Sequence, residues 1–198
     1  MLSPAVAVFL DAPRLGEVRP ALAAAVGERQ ALRLYRVIAA RTLAAVVEAG
    51  WQATVWFGPA EAASEMRHWL GASWEFRPQA SGDPGARLAA AYHAVEVGRV
   101  WLALDALCPA ISARVLRDAD AAIAYGGLVV GPTHSGAVHL IGGLAPLPDL
   151  WHGLPWGTPE LSGALRARLA ERGLPWRELP PMHGSDTALE LKAAGLLT

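Results

Sequence analysis

Short, continuously apolar runs alternate along this chain with longer stretches of helical periodicity. "AVAVFL" at residues 5–10 ends in Asp-Ala-Pro, the pattern of a strand buried on both faces. From residue 28 to residue 49 the apolar positions recur at helical spacing, Leu32, Tyr35, Ile38, Leu43 and Val46 among them, and Gly50 closes the segment. The stretch between these two elements reads as loop. "WQATVWF" is the next strand, "EAASEMRHWLG" the next helix and "WEFRP" a third, shorter strand.

"SGDPGARLAAAYHAVEVG" begins with Asp83 as N-cap and Pro84 at the first helical position, where its missing amide hydrogen costs nothing, and a helix to about Val97 follows. The strand "VWLALD" runs into a Cys-Pro turn. Ser112 then caps a helix through Ala122, and "GLVVGP" is again strand-like. "AVHLIGG" predicts a further strand, "TPELSGALRARLAERG" a helix capped by Thr158 with Pro159 first, and "WRELP" a last short strand. This alternation predicts an α/β fold of three layers, α/β/α, around a mostly parallel sheet. No linker, repeat or low-complexity tract divides the chain, so residues 1–198 are read as one domain.

Composition narrows the function classes. Hydrophobic residues make up 53% and charged residues 18%, which excludes a disordered chain. The formal net charge of −1 gives no general attraction to nucleic acid or to an anionic membrane, so neither is expected as a partner. One cysteine, Cys108, rules out an intramolecular disulfide and a cysteine-rich zinc site, and points to a reducing compartment. The opening "MLSPAVAVFLDAP" has no basic leader and meets Asp11 after a stretch too short to span a bilayer. The expectation is a soluble, cytoplasmic protein.

Three stretches together resemble a known family. "FLDAPRLGEVRPALAAAVG", "QASGDPGARLAAAY" and "LCPAISARVL…GLVVGPTHSGAVHLIGG…LWHGLPWGT…LPPMHGSDTALEL" are similar, in order and spacing, to small bacterial nucleotide-diphospho-sugar transferase-like proteins. Members are often labelled arsenosugar-biosynthesis glycosyltransferases, and they share the glycosyltransferase-A sheet with molybdenum-cofactor guanylyltransferases. The resemblance implies that fold, and a nucleotide or nucleotide sugar as ligand. It implies nucleotide-binding roles for Pro13, Gly16, Arg19, Gln79, Gly82, Asp83 and Arg87, catalytic roles for Asp105 and Asp186, and an acceptor or partner side at His134, Ser135, Trp151 and Trp156.

The departures from the family pattern fall on its chemistry. Its first loop carries three cations suited to a diphosphate; here Asp11 stands at the first lysine, Arg19 at the second, Pro20 at the threonine and Ala21 at the arginine. Its Gly-x-Asp-Cys-Pro strand end offers an oxygen ligand for a divalent cation. Cys108 and Pro109 hold that register, but Leu107 occupies the aspartate position and Asp105 the glycine, a displacement of about 6 to 7 Å along a strand. In "GPTHSGAVHLIGG" Ser135 replaces an acid, Ala137 a glycine and Val138 a tyrosine. In "HGSDTALEL" Gly184 replaces the first aspartate, while Asp186 and Thr187 remain. No metal is therefore assigned, and magnesium or manganese enters only if the site is rearranged.

Each of these features also has a plainer explanation. Asp-Pro-Gly is good helix-start chemistry whatever binds there. Asp11 and Asp105 suit hydrogen-bonded strand ends as well as ligand contacts, and Cys108 suits a small buried group. Gly131 and Gly136 have phosphate-loop spacing, yet Ala137 and Val138 stand where lysine and a hydroxyl residue are required. Ser135 with His134, His183 and Asp186 suggests a hydrolase triad, but Thr133 breaks Gly-x-Ser-x-Gly. His134, His139, His152 and His183 lack helical ligand spacing for a metal. Of eight tryptophans, Trp51, Trp56, Trp69, Trp74 and Trp101 fit core or element edges, while Trp151 and Trp156 fit a ligand or partner surface.

The resulting expectation is a divergent glycosyltransferase-A protein whose transfer is impaired or lost, a nucleotide-binding remnant or a pseudoenzyme acting through a protein partner or as a homodimer. The alternative is an active glycosyl- or nucleotidyltransferase using Asp105, Asp186 and Arg19 in a rearranged, metal-independent site; a hydrolase is the third class. If Leu107 marks a lost ligand position, Leu107→Asp raises the affinity for magnesium or manganese, read by calorimetric titration, while the far-ultraviolet circular dichroism stays native. Unchanged affinity in a folded variant would refute this register.

Overall fold

The computed structural model describes residues 3–106, 108–144, 150–185 and 187–197. The first apolar run forms β1 (Ala5–Asp11), which lies inside the sheet and is covered on both faces, as its lack of polar alternation requires. The other strands are β2 (Ala53–Gly58), β3 (Glu75–Pro78), β4 (Trp101–Asp105), β5 (Leu128–Pro132), β6 (Val138–Gly143) and β7 (Trp176–Glu178). Among the described residues the sheet order is β3-β2-β1-β4-β6-β5-β7. Neighbours are parallel except those of β6, which runs antiparallel to both β4 and β5. The reason is chain length: residues 133–137 suffice for a hairpin but not for a crossover, which needs a dozen or more.

The helices are α1 (Pro20–Val26), α2 (Glu28–Glu48), α3 (Ala63–Leu70), α4 (Pro84–His93), α5 (Ala113–Gly126), α6 (Leu161–Glu171) and α7 (Ala188–Ala193). Successive strand residues face opposite ways, so β4 serves two cores. Leu102 and Leu104 pack with Val8 and Leu10 of β1, Ile38 of α2, Met66 of α3 and Leu116 of α5. Trp101 and Ala103 pack with Ile141 of β6, Leu88 of α4 and Leu161 and Leu165 of α6. This is the expected three-layer α/β/α arrangement.

Several local expectations hold in detail. Asp83 Oδ1 accepts from the Ala86 N–H at 2.8 Å with Pro84 at the first helical position, and Ser112 Oγ accepts from the Val115 N–H at 3.4 Å. Others are corrected. Pro20–Val26 is helix rather than loop, and α7 was not expected at all, although Thr187 and Glu190 form a capping box whose Thr-x-x-Glu spacing is visible in the sequence. Helix α4 stops at His93, short of β-branched Val95 and Val97 and of Gly98, whereas α5 runs past Ala122 to Gly126. Thr158 does not cap α6. Its hydroxyl donates to the Pro155 carbonyl at 3.0 Å, and the helix starts at Leu161 behind Glu160.

Gly136, at a φ of 91° in the turn from β5 to β6, lets that turn meet the chain ahead of α6. A Cβ there would lie 1.9 Å from the Pro159 carbonyl oxygen, and the Ser162 N–H donates to the Gly136 carbonyl at 2.9 Å. Gly136→Ala is therefore expected to lower stability by more than about 2 kcal/mol in urea unfolding. Gly153→Ala, at a φ of 65° but with open space around it, is expected to lose only about 1 kcal/mol.

Candidate ligand cleft

The carboxyl ends of β1 and β4 open into a cleft of about 520 Å³, in the position where open α/β sheets bind ligands. Register decides how the acids stand. Asp11 pairs with Gly58 of β2, whereas Asp105 pairs with Phe9 of β1, so Asp11 projects two residues beyond Asp105. The end of β1 is pinned from below. The Tyr35 hydroxyl accepts from the Asp11 N–H at 2.7 Å and donates to the Asp11 carbonyl at 2.8 Å. Burial first, and the Asp11 charge second, raise the Tyr35 phenol above its usual range, so it stays a donor.

Gln79 organises the opposite lip. Its amide nitrogen donates to the Leu10 carbonyl at 3.2 Å and to the Trp56 carbonyl at 3.0 Å, on β1 and β2. With both protons committed, its oxygen accepts from Arg87 Nη1 at 3.1 Å, and Arg87 Nε donates to the Gly82 carbonyl at 3.2 Å. The guanidinium is thereby held at the start of α4, facing the cleft. The Asp11 carboxylate lies over Gly58, where a Cβ would come within 3.1 Å of Oδ1. Although Asp11 as a residue is exposed, the protein packed around its carboxyl raises its pKa. Asp105 adds repulsion, and Arg87 and Arg19 pull the other way.

Arg19 has a φ of 49°, an uncommon backbone state for a residue with a Cβ, and it precedes Pro20 at the start of α1. Its Nη2 donates to Asp105 Oδ1 at 3.0 Å and to the Ala106 carbonyl at 2.5 Å. Asp11, Arg19, Arg87 and Asp105 therefore stand around one cleft, with Gln79, Ser135, Trp156 and Thr187 also on its wall.

Other expected site residues lie elsewhere. Pro13 is buried outside the cleft lining, Gly16 packs beside Glu28, and Gly82 and Asp83 serve the start of α4. His134 is exposed outside the cleft, its ring 4.5 Å from that of His183. Trp151, expected on the acceptor or partner side, is instead core: it is 3% exposed and lies 6.2 Å from the ring of Trp101. The Trp151 carbonyl accepts from Trp156 Nε1 at 3.2 Å. Leu107 and Asp186 fall outside the described residues. Sequence reasoning missed Tyr35, whose place on the apolar face of α2 carries no sign of its second task.

Gly184, where the resemblance leads one to expect an acid, has a carboxylate beside it. Glu190 is buried and accepts from the Gly184 N–H at 3.2 Å, and a Cβ at Gly184 would come within 2.9 Å of Glu190 Oε1. A carboxylate from α7 thus fills the space beside Gly184. Among the described residues, no group of three or more His, Cys, Asp and Glu side chains is placed to hold a metal ion, and no helix is long and apolar enough to cross a membrane.

The fold is of the nucleotide-diphospho-sugar transferase type. A protein described as a nucleotide-diphospho-sugar transferase from Desulfovibrio desulfuricans G20 superposes with a TM-score of 0.86 at 21% identity, over 98% of this chain and 87% of that one. CMP:2-keto-3-deoxy-manno-octonic acid synthetase complexed with CTP superposes at 0.54 with 15% identity, over 97% of both chains. A cytidylyltransferase from Leptospira borgpetersenii serovar Hardjo-bovis superposes at 0.59 with 12% identity, over 100% of this chain and 89% of that one. The sequence matches none of the curated proteins. Residues 42–158, more than half of the chain, match the family DUF2064, described as an uncharacterized protein conserved in bacteria, and the chain belongs to it.

His139 on β6 borders the cleft but is 2% exposed, and its Nε2 has no hydrogen-bond partner. A Cβ at Gly131 would lie 2.7 Å from that nitrogen. Burial lowers the imidazole pKa from 6.5 to about 4. The unfolded chain then takes up this proton first, so the neutral histidine leaves stability intact above pH 6.5 and weakens it as pH falls toward 4, by up to about 3 kcal/mol. His139→Gln is expected to flatten that part of the profile, read from urea midpoints across the same pH range.

Proposed function

We propose that this protein binds a nucleoside diphosphate or nucleotide sugar at the carboxyl ends of β1 and β4, and that metal-dependent transfer at this site is impaired or lost. The observation that carries the reading is the contact of Arg19 with Asp105 and the Ala106 carbonyl. A guanidinium at a strand end is the natural partner of a diphosphate. Here it is engaged by a carboxylate two residues before the position from which the resembling family coordinates a cation. A ligand phosphate must compete with Asp105 for Arg19 and is repelled by Asp105 as it does so. Arg87, oriented by Gln79, supplies a second cation on the same wall. The likeness of fold to a synthetase complexed with CTP supports a nucleotide as the ligand class.

Among the described residues no three acids or histidines stand together to hold a metal ion. The second reading, an active transferase with a rearranged, metal-independent site built from Asp105, Asp186 and Arg19, draws on the Asp11 carboxyl. Its raised pKa suits a group that exchanges a proton near the reacting centre.

Thermal-shift and calorimetric titrations with nucleoside diphosphates and nucleotide sugars, with and without magnesium or manganese, test both readings. The expected result is weak binding that the metal does not improve, with no nucleoside diphosphate released from any nucleotide sugar. Asp105→Asn removes the repulsion and the competing charge, and should tighten diphosphate binding about tenfold, or ~1.4 kcal/mol. Sustained release of nucleoside diphosphate by the wild type would overturn the impaired-site reading in favour of the second.

A further inference from the structure

The cleft has two halves of different chemistry. Asp11, Arg19, Arg87 and Asp105 stand at the strand ends. Over the sheet face shared with α4 and α6, the wall is made by Leu88, Ala103, Ile141, Trp156 and Leu161. Ala103 and Ile141 are direct neighbours across β4 and β6, so this half has an apolar floor.

Its polar side chains are either already hydrogen-bonded or sealed from the space. Trp156 Nε1 donates to the Trp151 carbonyl at 3.2 Å, and the Thr158 hydroxyl donates to the Pro155 carbonyl at 3.0 Å. Ser135 Oγ and Thr133 Oγ1 are 2.9 Å apart, and Thr133 Oγ1 donates to the Ala137 carbonyl at 3.3 Å, which leaves the Ser135 proton for Thr133. His139 Nε2 is sealed against Gly131. A sugar buried here would bring hydroxyl groups and find no uncommitted side-chain donor among these residues, and each unsatisfied hydroxyl costs about 1–3 kcal/mol. An aromatic or aliphatic group brings no such demand and gains by covering the floor.

We propose that this half of the cleft takes an apolar group, so that the ligand is amphiphilic, with a phosphate-bearing head at Arg19 and Arg87 and an aryl or alkyl portion over Ala103 and Ile141. The head rests on the nucleotide-diphosphate reading above; the apolar portion rests on the wall alone. The remaining volume suits a group of modest size, since the whole cleft is about 520 Å³.

The test compares ligands that share a head and differ in tail: inorganic phosphate, glucose 1-phosphate, phenyl phosphate and hexyl phosphate, titrated calorimetrically into the wild-type protein. Phenyl or hexyl phosphate should bind at least tenfold more tightly than glucose 1-phosphate, and the stronger of the two tells aryl from alkyl. Trp156→Ala should reduce that preference. If this variant does not fold, competition in the wild type between hexanol or phenol and the preferred phosphate gives the same reading. Glucose 1-phosphate binding as tightly as the apolar phosphates would overturn the inference. Binding of hexanol or phenol, together with no binding of any phosphate or nucleotide, would sustain it and remove the nucleotide reading. Binding of a nucleotide sugar that no apolar probe displaces or weakens would do the reverse.

Discussion

Gln79 has one amide and three obligations, and the cleft is arranged around them. Its two protons reach carbonyls on β1 and β2, and its oxygen holds Arg87 on α4. Both carbonyls belong to paired residues near the carboxyl end of the β1–β2 ladder, so the one amide ties the two strands together as a second acceptor contact on each. A glutamate could not donate to either carbonyl, and a lysine could not accept from Arg87. Tying β1 to β2 and aiming the guanidinium are consequently one constraint rather than two.

The charged groups at the mouth obey a similar economy. Asp11 and Asp105 repel each other, and the two arginines temper that repulsion. Such a set is internally balanced without a ligand, which differs from a site of unopposed cations waiting for phosphate. Whatever enters must rearrange existing pairs, so affinity depends on how well its charges replace those of the protein. The backbone of Arg19, at a positive φ, belongs to the same balance: its conformation delivers the side chain to Asp105.

Much of the architecture was legible from the sequence because it depends on local pattern. Apolar runs marked the strands, Asp83 and Ser112 announced their caps, and the motif frame pointed to the fold. The failures fall where a residue's partner is distant. Thr158 looks like a helix cap, but its proton goes to Pro155. Trp151 sits in a polar-flanked loop, yet the second core needs its ring against Trp101. Arg19 and Asp105, 86 positions apart, were expected in one site only as the alternative reading, and nothing in their spacing announces the direct contact that the fold gives them. Tyr35 reads as one more apolar position of α2, because spacing reports which face is buried and not what a hydroxyl on that face can reach. The direction of β6, by contrast, was available from loop length and was not drawn from it.

The contact between Gly136 and Pro159 couples two pieces of chain that no helix or strand joins. The β5–β6 hairpin is rooted in the sheet, and the segment entering α6 rides on it through a carbonyl seated against a glycine and the Ser162 N–H bonded back. Neither can swing without the other, so this side of the cleft is a fixed jamb rather than a door. A molecule that enters past the strand ends meets charge before it meets grease.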